Sequence, residues 1–198
     1  MRVNLLAMFL LSVSLSTVAG GQHRGSKPSD TSVINLSARQ IDQFIKRNPK
    51  GRRIFADVAS GASDEPSRWQ EFKTEAAREK ADTGDNLNEN AYVWLKAGKV
   101  VGVNFTFQSP SRDWAHFAMY YFREDGTLAK IQSQLNSFYG DMTVRRESFF
   151  KSDGQLLHTT VKYFDLNSQK PKKPEKDFPE FPVPVYKKVQ DLPFYKLL

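Results

Sequence analysis

The sequence predicts an α+β fold in which two N-terminal helices pack on a curved antiparallel meander of about six strands, followed by an extended Pro-rich tail. Three observations predict it. Gly98, Gly126 and Gly154 lie 28 residues apart, each with an aromatic four positions before (Trp94, Phe122, Phe150) and a branched apolar residue two after (Val100, Leu128, Leu156). Upstream of them, residues 37–48 and 66–81 carry apolar residues at helical spacing. Downstream, residues 167–198 turn to Pro and Lys, which suits an extended segment rather than a packed element.

Taken in chain order, Met1-Arg2, an apolar stretch from Leu5 to Leu15 and the small residues Ser16 to Gly20 have the layout of a secretory signal peptide cleaved near Ala19. Its apolar core is shorter than the roughly 20 residues of a spanning helix, so an integral membrane segment is not expected in the mature chain. Residues 21–32 read as a flexible leader before a single domain at 33–166. Ser37 and Gln40 have capping-box spacing, Leu36 and Ile41 that of a hydrophobic staple, and Ile41, Phe44 and Ile45 form a stripe that ends at Asn48-Pro49. Residues 54–58 are a short possible strand. Pro66 fits the first turn of a second helix whose buried face would hold Trp69, Phe72 and Ala76. Residues 91–166 then switch to strand patterning.

If each x-Gly pair is a two-residue turn, the register of the hairpins follows. Phe122 faces Ala129, Tyr120 faces Ile131, Ala118 faces Ser133 and His116 faces Leu135. The same face takes Tyr92, Trp94, Val101, Val103 and Phe105 from the first unit. From the third it takes Val144, Arg146, Ser148, Phe150, Leu157, Val161 and Tyr163. This largely apolar face is expected to be the core beneath the two helices. The other face mixes rings and charges: Phe117, Met119, Tyr121, Arg123, Lys130, Arg145, Glu147, His158 and Lys162, with Val93, Leu95 and Val100. A plain solvent face would alternate to polar. Either the tail, with Phe178, Phe181, Phe194 and Tyr195, covers it, or it is a ligand or partner surface.

The kernel Tyr121-Phe122-Arg123-Glu124-Asp125-Gly126-Thr127-Leu128 and its copy Phe149-Phe150-Lys151-Ser152-Asp153-Gly154-Gln155-Leu156 resemble the bacterial MORN-like repeats. Two good copies and one degraded copy cover about a third of the chain. The resemblance implies a repeat scaffold for protein contact and no catalysis.

The remaining chemistry is bounded by what the chain holds. It has no cysteine, which removes disulfides, thiol nucleophiles and thiolate metal sites. The net charge of +7 is interleaved with acids such as Glu71, Glu75 and Glu79, without the focused stripe that nucleic acid requires. Ser111, Asp113 and His116 are too close in sequence to converge as a triad, and no G-x-S-x-G elbow accompanies them. The oxygen-rich segment Asp82 to Asn90 has its glycine at the wrong position for a calcium loop. Glu147 is expected to pair with Arg145 or Lys162. No cofactor or metal is expected, and a partner protein or an apolar ligand is. The chain therefore reads as an exported periplasmic or extracellular protein that acts as a non-enzymatic binding or interaction module. The alternative is a carrier of an apolar ligand in a half-barrel of the lipoprotein-carrier type, and the less favoured one an enzyme with sequence-remote acids.

Overall fold

The structure, a computed structural model, describes residues 30–59, 66–81, 89–109, 111–174, 178 and 182–198. Helix α1 (Asp30–Arg47) is followed by strands β1 (Arg52–Asp57) and β2 (Trp69–Phe72), a short helix α2 (Glu75–Ala81), and β3 (Glu89–Lys96). Five further strands complete the sheet: β4 (Lys99–Gln108), β5 (Trp114–Phe122), β6 (Leu128–Ser137), β7 (Met142–Phe150) and β8 (Leu156–Asp165). All pair antiparallel in one sheet of order β2-β1-β3-β4-β5-β6-β7-β8. The α+β class is as expected, but there are eight strands rather than six, and α2 sits between strands instead of beside α1.

The single helix expected at 66–81 is instead a strand at Trp69–Phe72 followed by a shorter helix. Trp69 and Phe72 are three apart, a spacing that shares one face of a helix but opposite faces of a strand. In β2 Trp69 joins the main aromatic core, while Phe72 packs with Ile54 and Ala56 on the other side. Only Glu75–Ala81 is helical, started by Thr74, whose hydroxyl accepts the Ala77 N–H at 3.1 Å. Helix α1 in turn begins earlier than residue 37. Its buried stripe starts at Ile34 and Ala38, so the Ser37/Gln40 pair lies inside the helix and Leu36 is exposed.

The three glycine hairpins differ in a way that sets both faces of the sheet. Ala97 and Gly98 both have positive φ (50° and 77°) and form a true two-residue turn closed by Lys96 and Lys99. The other two turns are longer. Gly126 donates to Arg123 O at 2.9 Å and Arg123 to Thr127 O at 2.8 Å, and Gly154 and Lys151 repeat both bonds. Each glycine takes the left-handed conformation at φ 82°, and Asp125 and Asp153 accept the N–H two residues on. After every turn the third residue beyond the glycine (Val101, Ala129, Leu157) is a bulge without a cross-strand partner in its hairpin.

Where the longer turn and the bulge occur together, their offsets cancel. Beyond the bulge the middle unit pairs Tyr120 with Ile131, Ala118 with Ser133 and His116 with Leu135 as the sequence predicts, while Phe122 pairs with Leu128 rather than Ala129. In the first hairpin the bulge acts alone and slips β3 by one residue. Trp94 then faces Gly102 and Val93 faces Val103. Tyr92, Trp94 and Val101 consequently leave the expected core face. Ala91, Val93, Leu95 and Val100 occupy it.

The layers are also exchanged relative to expectation. The tail, not the helices, covers the aromatic face: Tyr186, Val189, Leu192 and Phe194 pack on Phe55, Phe105, Tyr120 and Phe122. Phe194 stacks on Phe55 with ring centroids 4.5 Å apart, and the Tyr120 hydroxyl donates to Pro184 O at 2.6 Å. Backbone bonds tie the tail to the middle hairpin, Leu128 N–H to Lys187 O and Val189 N–H to Gly126 O. Helix α1 instead crosses the mixed face, where Ile34 packs with Ala129, Phe149 and Leu157. Gly102 is the seat of its second half, because a Cβ there would lie 3.3 Å from Ile45 and 3.4 Å from Ile41.

Candidate functional site

Helix α1 covers only part of the mixed face. Beside it, over the middle of β4 to β8, an open groove of about 750 Å³ remains. Its apolar floor is Trp94, Phe117, Met119 and Phe164, and its polar lining includes Asp42 and Lys46 from α1 and Gln132, Gln134, Arg145, Glu147 and Lys162 from the sheet. Alternation along antiparallel strands puts these side chains on one face, and the pairing Arg145↔Lys162 sets two cations side by side. Phe117, opposite Gln134, remains 41% exposed, a large ring presented to solvent within a polar surround.

Most polar groups of the groove are held in place by neighbours. The Tyr121 hydroxyl donates to Asp42 Oδ1 at 2.8 Å, joining helix to sheet. Burial, with the Asp42 charge beside it, raises the Tyr121 phenol far above its ordinary range, so it is a neutral donor. Arg145 donates to Gln134 Oε1 at 3.1 Å and to Gln169 Oε1 at 2.8 Å, with its guanidinium 4.7 Å above the Phe164 ring. Glu147 pairs with Lys130 at 2.6 Å, not with the expected Arg145 or Lys162. Lys46, Arg145 and Lys162 give the rim a positive excess, since the one acid on the sheet side is already matched.

Of the nine residues singled out from sequence, the groove brings together Phe117, Met119, Tyr121, Arg145, Glu147 and Lys162. The other three lie elsewhere. Arg123 bridges two hairpins, donating to Leu128 O and Phe150 O, and burial lowers its pKa. Lys130 is sealed under α1, donating to Asn35 Oδ1 at 2.9 Å with its ammonium 5.1 Å from the Phe149 ring. His158 stacks on Phe149 on edge strand β8, away from the groove. Trp94 and Asn104, together with Asp42 and Lys46 of α1, were not foreseen as site residues. Trp94 was misread because of the Val101 bulge, and no local pattern tells which sheet face a helix will cover. The Trp94 indole nitrogen is buried without an acceptor among the described residues.

The other motifs separate. Ser111 donates to Asp113 Oδ2 at 2.5 Å on an exposed loop, whereas His116 is buried at 7% exposure on the tail side. Among the described residues no cluster of three His, Cys, Asp or Glu could hold a metal, and no helix is long and apolar enough to cross a membrane. The predicted signal peptide, residues 21–29 of the leader expected at 21–32, and the segment 82–88 lie outside the described residues, whereas Asp30, Thr31 and Ser32 of that leader belong to α1. The chain matches no family model, no curated protein and no solved structure.

Proposed function

We propose that the protein is an exported, non-enzymatic binding module whose groove receives an extended acidic, aromatic-bearing segment of a partner protein. The observation that supports this most is the groove itself, an open trough with exposed Phe117 on its floor and Lys46, Arg145 and Lys162 around it. Aromatic rings beside cations suit a partner that offers both carboxylates and rings. The hydrogen bonds that fix Tyr121, Arg145 and Glu147 favour a rigid surface over a reactive one, because each group is committed to a structural neighbour. The repeated hairpin fits the same role as a scaffold for protein contact. An apolar carrier is less favoured, since the most aromatic face of the sheet is filled by the chain's own tail.

The test uses a random Glu–Tyr copolymer as probe and the Trp and amide NMR signals of the secreted form as readout. Binding is expected to shift signals of Phe117, Gln132, Arg145 and Lys162, to weaken with salt, and to fall at least tenfold in Lys162→Glu. Shifts confined to other surfaces, or an affinity indifferent to Lys162→Glu, contradict the groove as the site. Export is tested separately, by fractionation of an expressing host and mass measurement of the processed N-terminus near Ala19.

A further inference from the structure

The sheet is open, and its two edges are unequal. Strand β2 is four residues long, too short to template much pairing, whereas β8 runs for ten, from Leu156 to Asp165. The tail pairs with β8 only at its far end. Asp165 N–H donates to Lys170 O at 2.8 Å and Lys172 N–H to Tyr163 O at 3.0 Å, around an antiparallel bridge between Phe164 and Pro171. These bonds fix which way the β8 backbone points. Tyr163 and Asp165 turn their main-chain groups away from β7, so by alternation Val161 and Thr159 do the same. The same register would set Pro174 against Val161, and proline has no N–H to donate. Farther along the tail, Phe178 packs on the cluster of Leu135, Met142 and Val144, and Pro182 and Val183 lie beside Phe150, all on the face of the sheet. Among the described residues no hydrogen bond from the tail reaches the main chain of Thr159 or Val161. The flanking side chains differ by face. His158, Thr160 and Lys162 stand on the helix side, and Leu156, 54% exposed, and half-buried Val161 on the tail side. No acid occurs between Leu156 and Lys162.

We infer that the edge of β8 between Leu156 and Lys162 accepts an extended segment of a partner protein as an antiparallel ninth strand, acidic on its helix side and aliphatic on its tail side. Main-chain bonds to Thr159 and Val161 supply the hold. Carboxylates then fall beside Lys162 and His158, and aliphatic side chains extend the cluster that already holds Val161. A second copy of the chain is a poorer occupant. Two β8 strands paired antiparallel about Thr160 would set Lys162 against His158 at both ends and gain no ion pair. Lys162 borders the groove as well, so the edge is tested through its main chain and does not depend on the partner proposed there.

The probes are capped octapeptides of alternating Glu and Val, of alternating Lys and Val, and of Glu and N-methylvaline, added to the secreted form. Amide hydrogen exchange followed by NMR is the readout. The Glu–Val peptide is expected to slow exchange of the Thr159 and Val161 amides at least tenfold at saturation. The Lys–Val peptide should bind at least tenfold more weakly, and the methylated peptide, whose valines face Thr159 and Val161 without a donor, should give no protection. Val161→Pro removes one outward N–H and leaves the ladder to β7 intact, so it should weaken the Glu–Val peptide at least tenfold. It should leave the response of Phe117 and Gln132 to the Glu–Tyr copolymer as in the unsubstituted protein. If Val161→Pro does not fold, the methylated peptide carries the comparison. The assignment is overturned by unchanged exchange at Thr159 and Val161, by equal protection from the methylated peptide, or by equal affinity for the Lys–Val peptide. Slowing of the same amides by raised protein concentration alone would give the edge to a second copy and overturn it too.

Discussion

The two faces of the sheet are built from the same strands and solve different problems. The tail face is packed with aromatic rings. Phe105 alone has Trp69, Phe107, Tyr120, Tyr186 and Phe194 within 6 Å between ring centroids. The helix face is held at points: Tyr121 to Asp42, Lys130 to Asn35 and Glu147, and two isoleucines on Gly102. A continuous aromatic layer stabilises through area removed from water, whereas point contacts fix position and leave room between them. That room is the groove. The contrast teaches that stability and presentation are divided between faces, with the tail supplying the former.

The strongest way to break this comparison is Phe194→Ala, which empties the centre of the tail's packing. A loss of about 3–5 kcal/mol in urea unfolding is expected; a loss below about 1 kcal/mol would show that the tail is not part of the core. Next in size is the pH response of His116. Its folded pKa, about 4, lies below the unfolded value near 6.5, so the unfolded chain takes up the extra proton. Its contribution is constant above pH 6.5 and is lost as pH falls towards 4, by at most about 1.4 kcal/mol per unit. His116→Gln should flatten that slope, and parallel pH profiles for the two proteins would refute the assignment.

On the helix face the expected effects are smaller. Lys130→Ala should cost about 1–2 kcal/mol, less than a fully buried pair, because Glu147 is 40% exposed and can hydrate. Lys130→Met, which keeps the stem over Phe149, should recover most of it. A cost for Lys130→Ala equal to that of Phe194→Ala would erase the difference between the faces. Of the same size is Gly126→Ala, expected at about 1–2 kcal/mol from left-handed backbone strain alone, since the nearest atom to a Cβ there is an ordinary 3.8 Å away. An unchanged unfolding midpoint would mean that the turn relaxes freely.

The contrast also explains what was legible in the sequence. The strands β3 to β8 and most of the middle unit's pairing were readable, because local turn chemistry and alternation specify them. Six groove residues were readable for the same reason, since one register puts them on one face. The fate of Trp69 and Phe72 was not, because a three-residue spacing serves both a helix and a strand. Nor was the identity of each face's cover. Helix α1 and the tail both carry apolar residues, and the choice is made by Gly102 and the aromatic layer, which meet them only in the folded chain. The first hairpin failed for want of one fact, the length of its turn relative to the bulge that follows.

That surplus residue has a wider consequence. Val101 works as a parity key: it decides which side chains of β3 are odd and which even with respect to the rest of the sheet. Because of it, Trp94 falls opposite Gly102 and in the groove. A hairpin that paired Val101 with Trp94 instead of bulging it would keep the same composition and the same turn, yet would present Val93 to the helix and Trp94 to the tail. One wall of the groove is thus written in a count, not in a side chain.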